Sequence, residues 1–156
     1  MSYEIRKATL ADVAELVNVR IEFLSEVNTL TNEDIIVLKE ANSRYFLECI
    51  PKGTYVSYIA VLENKIVGSS GITFYHLPPN KKCPTGKAAY ISNIYTSAEH
   101  RGRGIASKLF TLLVKEAKEL GYEKLLLNAT DMGRPLYEKF GFTMTKGDME
   151  YIIKNT

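Results

Sequence analysis

The sequence predicts a mixed α/β fold, and three observations favour this class. Segments rich in β-branched and aromatic residues alternate with segments of helical periodicity. An amphipathic helix separates the strand at Tyr90 from the unbroken apolar run Leu125–Leu127, an order typical of a crossover between parallel strands. The 156 residues contain no linker, repeat or low-complexity tract. We therefore expect one domain over residues 1–156.

The first half of the chain predicts a strand, two helices and a strand pair. Thr9 and Thr31 are each followed three residues later by Asp, the pattern of a helix N-terminus. Pro51-Lys52-Gly53 ends the second helix, and Asn64-Lys65 forms a tight turn. In order, the predicted elements are a strand at Ser2–Ala8, a helix from Leu10 through Leu24, a helix from about Glu33 to about Cys49, and strands at Thr54–Glu63 and Ile66–Tyr75.

The second half begins with a long loop, His76–Ala88, which holds three of the five prolines. Gly121 is the expected C-terminal stop of the long amphipathic helix. The predicted elements that follow the loop are a strand at Tyr90–Thr96, a helix at Gly104–Leu120, a strand at Tyr122–Ala129, a helix at Met132–Phe140, and a closing antiparallel pair, Phe142–Met144 with Met149–Ile153. The complete predicted order is β-α-α-β-β-β-α-β-α-β-β.

Composition excludes several function classes. A net charge of +2 is too small to indicate binding to nucleic acid or to an anionic membrane. The two cysteines, Cys49 and Cys83, and the two histidines, His76 and His100, lack metal-ligand spacing, so no metal is expected. The N-terminus is polar and no apolar run reaches membrane-spanning length, which predicts a cytoplasmic protein. The oligomeric state stays open, and a homodimer is compatible with the sequence.

The segment from Tyr90 to Lys108 combines a strand, a glycine-containing loop and the start of a helix. Such a loop lets backbone N–H groups approach an anion, and the helix N-terminus adds unpaired donors. Arg101 and Arg103 add formal charge at the same place. The spacing matches neither the dinucleotide fingerprint nor the Walker loop. The segment therefore predicts a phosphate site of another kind.

Two motifs in this half resemble the GNAT superfamily of acetyl-CoA-dependent N-acetyltransferases. Residues 101–106 read Arg-Gly-Arg-Gly-Ile-Ala, which matches the family pattern Arg-x-x-Gly-x-Ala of the pyrophosphate loop. Residues 135–142 read Pro-Leu-Tyr-Glu-Lys-Phe-Gly-Phe, which is similar to the family segment leading into Gly-Phe. The resemblance implies a mixed sheet splayed between its fourth and fifth strands, here those predicted at Tyr90 and Leu125, with acetyl-CoA bound as co-substrate in the opening.

The resemblance also implies site residues. Main-chain groups of the strand end would pair with the pantetheine arm, as an added strand pairs with a sheet edge. The loop would hold the pyrophosphate mainly through main-chain N–H groups, and Ser107 would add a hydroxyl. Thr130 stands where many family members have a cofactor-binding Asn. The cofactor-binding residues implied are Ile94, Tyr95, Thr96, Arg101, Gly102, Arg103, Gly104, Ile105, Ala106, Ser107 and Thr130.

The resemblance implies one catalytic residue, Tyr137, as the general acid that protonates the departing CoA thiolate. The general base stays open. Some family members carry a catalytic Glu where this chain has Tyr90, so the resemblance implies no carboxylate as the general base. An alkylammonium must lose its proton before it can attack a thioester. The alternatives are ordered water, Glu22, Glu26, His76 or Tyr90.

The resulting hypothesis is transfer of an acetyl group to a primary amine, by direct attack through a tetrahedral intermediate. A covalent route would need a nucleophile such as Cys83. The alternative hypothesis is a non-catalytic acyl-CoA sensor of the same fold. We expect the acceptor to be a small molecule, and we expect its binding site to be lined by the first two helices and the His76–Ala88 loop. Acidic residues at positions 22, 26, 33 and 34 are compatible with a cationic amine.

Overall fold

The computed structural model describes residues 2–153. Within these residues, six strands form one sheet and four helices flank it. Short 3-10 helices at Leu10–Asp12 and Ala98–His100 precede α1 and the glycine loop. The strands are β1 Glu4–Lys7, β2 Tyr55–Val56, β3 Tyr58–Leu62, β4 Lys65–His76, β5 Lys87–Thr96 and β6 Lys124–Leu127. The helices are α1 Val13–Val27, α2 Asn32–Lys52, α3 Ile105–Glu119 and α4 Arg134–Lys139.

The sheet has the order β1-β3-β4-β5-β6, with β2 paired to β4 beside β3. All neighbours are antiparallel except β5 and β6, which are parallel and joined by the α3 crossover. Pairing of β5 with β6 runs from Ala88↔Lys124 to Ile91↔Leu127 and ends there, while β5 continues to Thr96. The predicted mixed α/β class and its crossover are confirmed, and the sheet opens at the predicted strand pair.

The two faces of the sheet are covered by different helices. Helices α1 and α2 pack on one face, where Leu16, Phe46 and Ile59 are almost fully buried. Helix α3 packs on the other face, with Phe110 and Leu113 fully buried against β4 and β5. Burial of large apolar side chains on both faces is the main stabilising contribution in such a layered domain. The opening between β5 and β6 therefore lies between two well-packed layers.

A bulge changes the direction of β5 just after its pairing with β6 ends. Asn93 has a φ of +59° and is 2% exposed, and the β4–β5 register shifts between Ser69 and Gly71. Gly71 allows the close approach that this arrangement needs, because a Cβ there would lie 2.0 Å from the Tyr55 hydroxyl. Bulges of this kind re-aim the residues that follow them. Ile94, Tyr95 and Thr96 are the residues re-aimed.

The strand predicted at Thr54–Glu63 is divided at Ser57 into β2 and β3. The Ser70 hydroxyl accepts from the Tyr58 N–H at 3.2 Å and donates to the Tyr58 carbonyl at 2.8 Å. A side chain thus occupies main-chain groups that a continuous ladder would use, because serine competes locally for backbone partners. The strand predicted to begin at Tyr90 starts earlier, at Lys87, so the preceding loop is shorter than expected.

The predicted closing pair, Phe142–Met144 with Met149–Ile153, needs correction. In the part of the chain that the structure describes, no strand follows β6. Apolar side chains of the second predicted strand are exposed, Met149 at 97% and Ile153 at 82%. A short apolar segment forms a strand only where one face of that strand packs against other residues.

Candidate functional site

A cleft of about 510 Å³ occupies the opening of the sheet, and we refer to it as the main cleft. Its walls come from the end of β5, the glycine loop, the first turn of α3, the segment around α4, and α1. All of the predicted site residues except Arg103 line it. The complete lining is Phe23, Glu26, Val27, Ile94, Tyr95, Thr96, His100, Arg101, Gly102, Gly104, Ile105, Ala106, Ser107, Thr130, Met132, Gly133, Leu136 and Tyr137.

The end of β5 presents a strand edge to this cleft. Beyond Ile91 the strand has no pairing to β6 among the described residues, so Ile94–Thr96 border open space on that side. Tyr95 anchors the edge from below, since its ring packs 5.8 Å from that of Phe23 and its hydroxyl donates to Glu26. An anchored, unpaired edge can accept an extended ligand that carries amide groups.

The glycine loop forms the second wall. Gly102 and Gly104 have φ values of +77° and +79°, a left-handed conformation that residues with a Cβ rarely adopt. Apart from the adjoining residues of the chain, no heavy atom lies within 4 Å of the position that a Cβ would take at either residue. Helix α3 begins at Ile105, and the first four N–H groups of a helix have no intrahelical acceptor. The loop therefore offers N–H donors and positive helix-end potential to an anion.

The two loop arginines have different positions. The Arg101 guanidinium donates to Glu26 at 2.8 Å and, through Nε, to the Thr96 carbonyl at 2.8 Å, so it joins the loop to α1 and β5. The Arg103 guanidinium donates to the Tyr3 hydroxyl at 2.9 Å, outside the main cleft. The structure brings the Arg101 side chain to the predicted site and does not bring that of Arg103.

Tyr137 and Thr130 close the third wall. Tyr137 is 8% exposed, and its ring packs 5.2 Å from that of Phe110. A Cβ at Gly133 would lie 3.1 Å from the Tyr137 hydroxyl and 3.2 Å from the Thr130 hydroxyl, so both hydroxyls converge beside Gly133. Burial raises the pKa of Tyr137 above its ordinary value. Its phenol therefore stays protonated through neutral pH and can donate a hydrogen bond or a proton.

The candidate bases are scattered. Glu26 lines the cleft, but hydrogen bonds from Tyr95 and then Arg101 lower its pKa, which makes it a weak base. Glu22 lies one turn earlier on α1 and is exposed. His76 pairs with Lys87, at the opposite end of β5 from the cleft. Tyr90 lines a different cavity, described next. The structure therefore brings Glu26 alone of these four to the main cleft.

A second cavity, of about 310 Å³, lies beside the main cleft, and we call it the side pocket. Tyr90 and Ser92 of β5 form its floor, with α1 and α2 above them. Sequence reasoning anticipated the contribution of the first two helices and singled out Tyr90, but it missed the other residues of the pocket. The His76–Ala88 loop, also expected there, contributes no residue to it. Its lining is Arg20, Asn42, Tyr45, Phe46, Tyr55, Thr73, Tyr90 and Ser92.

Three further features bear on the kind of site that this chain can form. Within residues 2–153, no three His, Cys, Asp or Glu side chains are grouped so that they could hold a metal ion. Over the same residues, no helix has the length and apolar character needed to cross a bilayer. Cys83 is 3% exposed and its thiol donates to the Lys87 carbonyl, at the end of β5 remote from the cleft.

Comparison with known proteins gives a consistent result. The model of the acetyltransferase (GNAT) family matches residues 23–142. A predicted acetyltransferase from Clostridium acetobutylicum, whose structure contains acetyl-CoA, is 35% identical, with a TM-score of 0.89 and coverage of 97% of this chain and 96% of that chain.

Two other relatives match over shorter segments. An uncharacterized N-acetyltransferase of Bacillus subtilis, YsnE, is 35% identical over 39% of this chain and 44% of that protein. A probable glucosamine 6-phosphate N-acetyltransferase of Oryza sativa is 37% identical over 36% of this chain and 34% of that protein. The matches thus span less than half of the length of these two relatives.

Proposed function

The chain belongs to the acetyltransferase (GNAT) family, and from this premise we propose that it transfers the acetyl group of acetyl-CoA to a primary amine of a small molecule. The observation that carries the proposal is the main cleft, in which an unpaired strand edge, a glycine loop at a helix N-terminus and the side chain of Tyr137 line the same space. These three features match the three parts of an acyl-CoA: the amide-bearing arm, the pyrophosphate and the thioester.

The residues of the main cleft fit acetyl-CoA chemically. The Ile94–Thr96 edge would pair with the amide groups of the pantetheine arm. The N–H groups from Gly102 to Ser107 would hold the pyrophosphate, with α3 contributing positive potential. The thioester carbonyl supplies the acyl group that the reaction transfers. The related Clostridium protein was crystallised with acetyl-CoA, which supports this assignment.

The proposed reaction is a direct transfer. The amine nitrogen forms a bond to the acetyl carbon, a tetrahedral intermediate collapses, and the carbon–sulfur bond breaks. Tyr137 donates its proton to the leaving sulfur, and solvent in the open cleft returns a proton to the phenol. The amine proton leaves to water, because Glu26 is held by Arg101 and Tyr95 and has a lowered pKa.

The small size of the acceptor is supported by the side pocket. Its volume of about 310 Å³ is at the lower end of the range for small-molecule sites. It adjoins the main cleft, since α1 contributes Arg20 to the pocket and Phe23 to the cleft, and β5 contributes Ser92 and Ile94 in the same way. An amine seated in the pocket would thus approach the thioester along β5.

A thioester-consumption screen tests the proposal. Purified protein and acetyl-CoA would be mixed with polyamines, amino acids, amino sugars, aminoglycosides and short peptides, and release of free CoA recorded. We expect turnover with at least one small amine and little with the peptides. If CoA binds but no amine is consumed, the chain is a non-catalytic acyl-CoA sensor. If peptides are the best acceptors, the small-molecule assignment is wrong.

A further inference from the structure

The side pocket contains one cation that has no partner. Arg20 is half-buried, and among residues 2–153 its guanidinium forms neither a hydrogen bond nor an ion pair. The other five arginines all have one: Arg6, Arg44, Arg101 and Arg134 contact carboxylates, and Arg103 contacts the Tyr3 hydroxyl. The Arg20 nitrogens are not among the buried unpartnered atoms, so the guanidinium keeps contact with solvent and can pair with an anionic ligand without giving up a protein partner.

The lining around Arg20 is polar but uncharged. The side pocket contains hydroxyl groups and one carboxamide, and none of its lining residues is acidic. Tyr45 and Thr73 share a hydrogen bond of 2.7 Å between their hydroxyls. Burial raises the pKa of Tyr55 to about 12, with the charge of Arg20 acting in the opposite direction, so this phenol stays protonated. The pocket therefore combines one cation with hydroxyl donors, an environment suited to an anion.

Arg20 also lies at the boundary between the side pocket and the main cleft. Its guanidinium carbon is 5.9 Å from the centroid of the Phe23 ring, and Phe23 lines the main cleft. The ring restricts the movement of the guanidinium, which lowers the cost of fixing it against a ligand. An anion bound to Arg20 would therefore lie close to the wall of the main cleft that Phe23 forms.

We propose that the acceptor amine carries an anionic group, a carboxylate or a phosphate, which Arg20 binds in the side pocket. This inference rests on the proposed function, because it assigns the substrate class of the same reaction. The planar guanidinium binds either group through two parallel hydrogen bonds. The anionic end of the acceptor is held beside α1 and α2, and its amino end extends along β5 toward the main cleft.

Matched amine pairs test the inference in the wild-type protein. The pairs are β-alanine with β-alaninamide, 2-aminoethyl phosphate with ethanolamine, and glucosamine 6-phosphate with glucosamine. For at least one pair, kcat/KM for the anionic member should exceed that of the neutral member by about 10- to 100-fold, the range of a hydrogen bond to a charged group. The carboxylate and phosphate pairs distinguish the two sources of charge. Equal kcat/KM values within every pair would overturn the inference while leaving the acetyltransferase assignment intact.

Variants of Arg20 test whether this residue causes the preference for the anionic amine. Arg20→Gln should abolish the preference for the anionic member, and Arg20→Lys should retain part of it as a point charge. Arg44→Gln is the matched control, because Arg44 is an exposed arginine of α2 paired with Glu40. It should leave the preference unchanged. A preference that survives in Arg20→Gln would assign the anion to another residue and contradict the proposal.

A binding measurement keeps the inference testable if no amine turns over. Calorimetry with saturating CoA in place of acetyl-CoA gives a complex in which no transfer can occur. The anionic amines should bind wild type and Arg44→Gln at least about tenfold more tightly than their neutral partners, and Arg20→Gln should show no difference. Binding without turnover would reject the enzyme and keep the anion site. Equal binding within each pair would reject the anion site.

Discussion

Tyr137 combines a packing role with the proposed chemical role, and a single atom separates the two. Its ring lies against Phe110, whereas its hydroxyl has no hydrogen-bond partner among residues 2–153. Tyr137→Phe therefore removes the proposed proton donor and keeps the packing. We expect kcat to fall by about 10²-fold or more, as for loss of a general acid. The Kd for acetyl-CoA should stay within a few-fold. Steady-state kinetics and calorimetry measure the two quantities.

Tyr122→Phe is the control for this substitution. Tyr122 belongs to the same apolar cluster, stacks on Phe74 and lies at the other end of α3. Its loss of a hydroxyl should leave kcat unchanged. Wild-type turnover in Tyr137→Phe would limit Tyr137 to packing, and a parallel loss of acetyl-CoA affinity would show that the hydroxyl positions the ligand.

Glu26 joins α1 to the glycine loop, and its charge state should be visible in stability. Hydrogen bonds from Tyr95 and Arg101 lower its pKa, so the carboxylate stabilises the folded state above the unfolded pKa of about 4.3. That contribution is lost as pH falls through the lower pKa of the folded state. At pH 7, Glu26→Gln should lower the free energy of unfolding by at most about 1 kcal/mol, since the pair is half-exposed. Urea titration of wild type and Glu26→Gln at pH 7 and pH 3 measures this difference in the free energy of unfolding.

The same titration on Glu22→Gln provides the comparison. Glu22 is an exposed carboxylate one turn earlier on α1. Its substitution should change stability little at either pH. If the deficit of Glu26→Gln did not become smaller as the pH falls below the unfolded pKa, lost charge would not explain it.

The positions of cleft residues were predictable where the motif is local and not where partners are distant in sequence. The loop of residues 101–106 and Tyr137 were both found from short runs of sequence, and the structure places them around one cleft. The partners of the two loop arginines, Glu26 and Tyr3, are far away in the chain, and no local pattern indicates them. The unpaired state of Arg20 was equally hidden, because it depends on how α1 packs on the sheet.

The glycine loop is the element on which ligand binding should depend most. Gly104 has a left-handed φ and directly precedes α3. Gly104→Val should weaken CoA binding by about 10²-fold or more, because it strains the backbone and its branched side chain occupies the space before the N–H donors. Arg101→Ala should weaken binding less, and Arg103→Ala least, since its guanidinium contacts Tyr3 instead. Calorimetric titration with CoA gives this ranking.

Gly53→Val separates backbone strain from loss of the site. Gly53 also has a left-handed φ at a helix end, with no atom within 4 Å of a Cβ, and it lies outside both cavities. The Gly53→Val variant should be less stable than wild type, as Gly104→Val is, and should keep the wild-type affinity for CoA. Should a folded Gly104→Val bind CoA normally, the loop would not be the pyrophosphate site.

Secondary structure was predictable where burial and capping agree. Capping boxes at Thr9 and Thr31 are present as expected, and α3 follows its apolar periodicity. The break at Ser57 depends on a hydroxyl from Ser70, on a neighbouring strand, which local propensity cannot show. The predicted closing strands are absent from the described residues, because a short apolar segment forms a strand only where a partner strand is available.

At the scale of the molecule, we propose that residues 1–156 form one domain, as the sequence predicts. Strands β4 and β5 contribute to the apolar clusters on both faces of the sheet, so the two layers share their central strands. Urea unfolding followed by tyrosine fluorescence and by far-ultraviolet circular dichroism should give superimposable single transitions. Two separate midpoints would show that the layers unfold independently and would contradict the single domain.

The main cleft draws its walls from both ends of the described chain, with Phe23 on α1 and Tyr137 on α4. During synthesis on the ribosome, α1 leaves the exit tunnel long before Tyr137 is translated. A nascent chain therefore has no complete pocket for acetyl-CoA, and the metabolite cannot guide the folding of its first hundred or so residues. Its stabilising effect begins once α4 has emerged. From then on it acts by mass action, favouring molecules whose early and late segments have already come together.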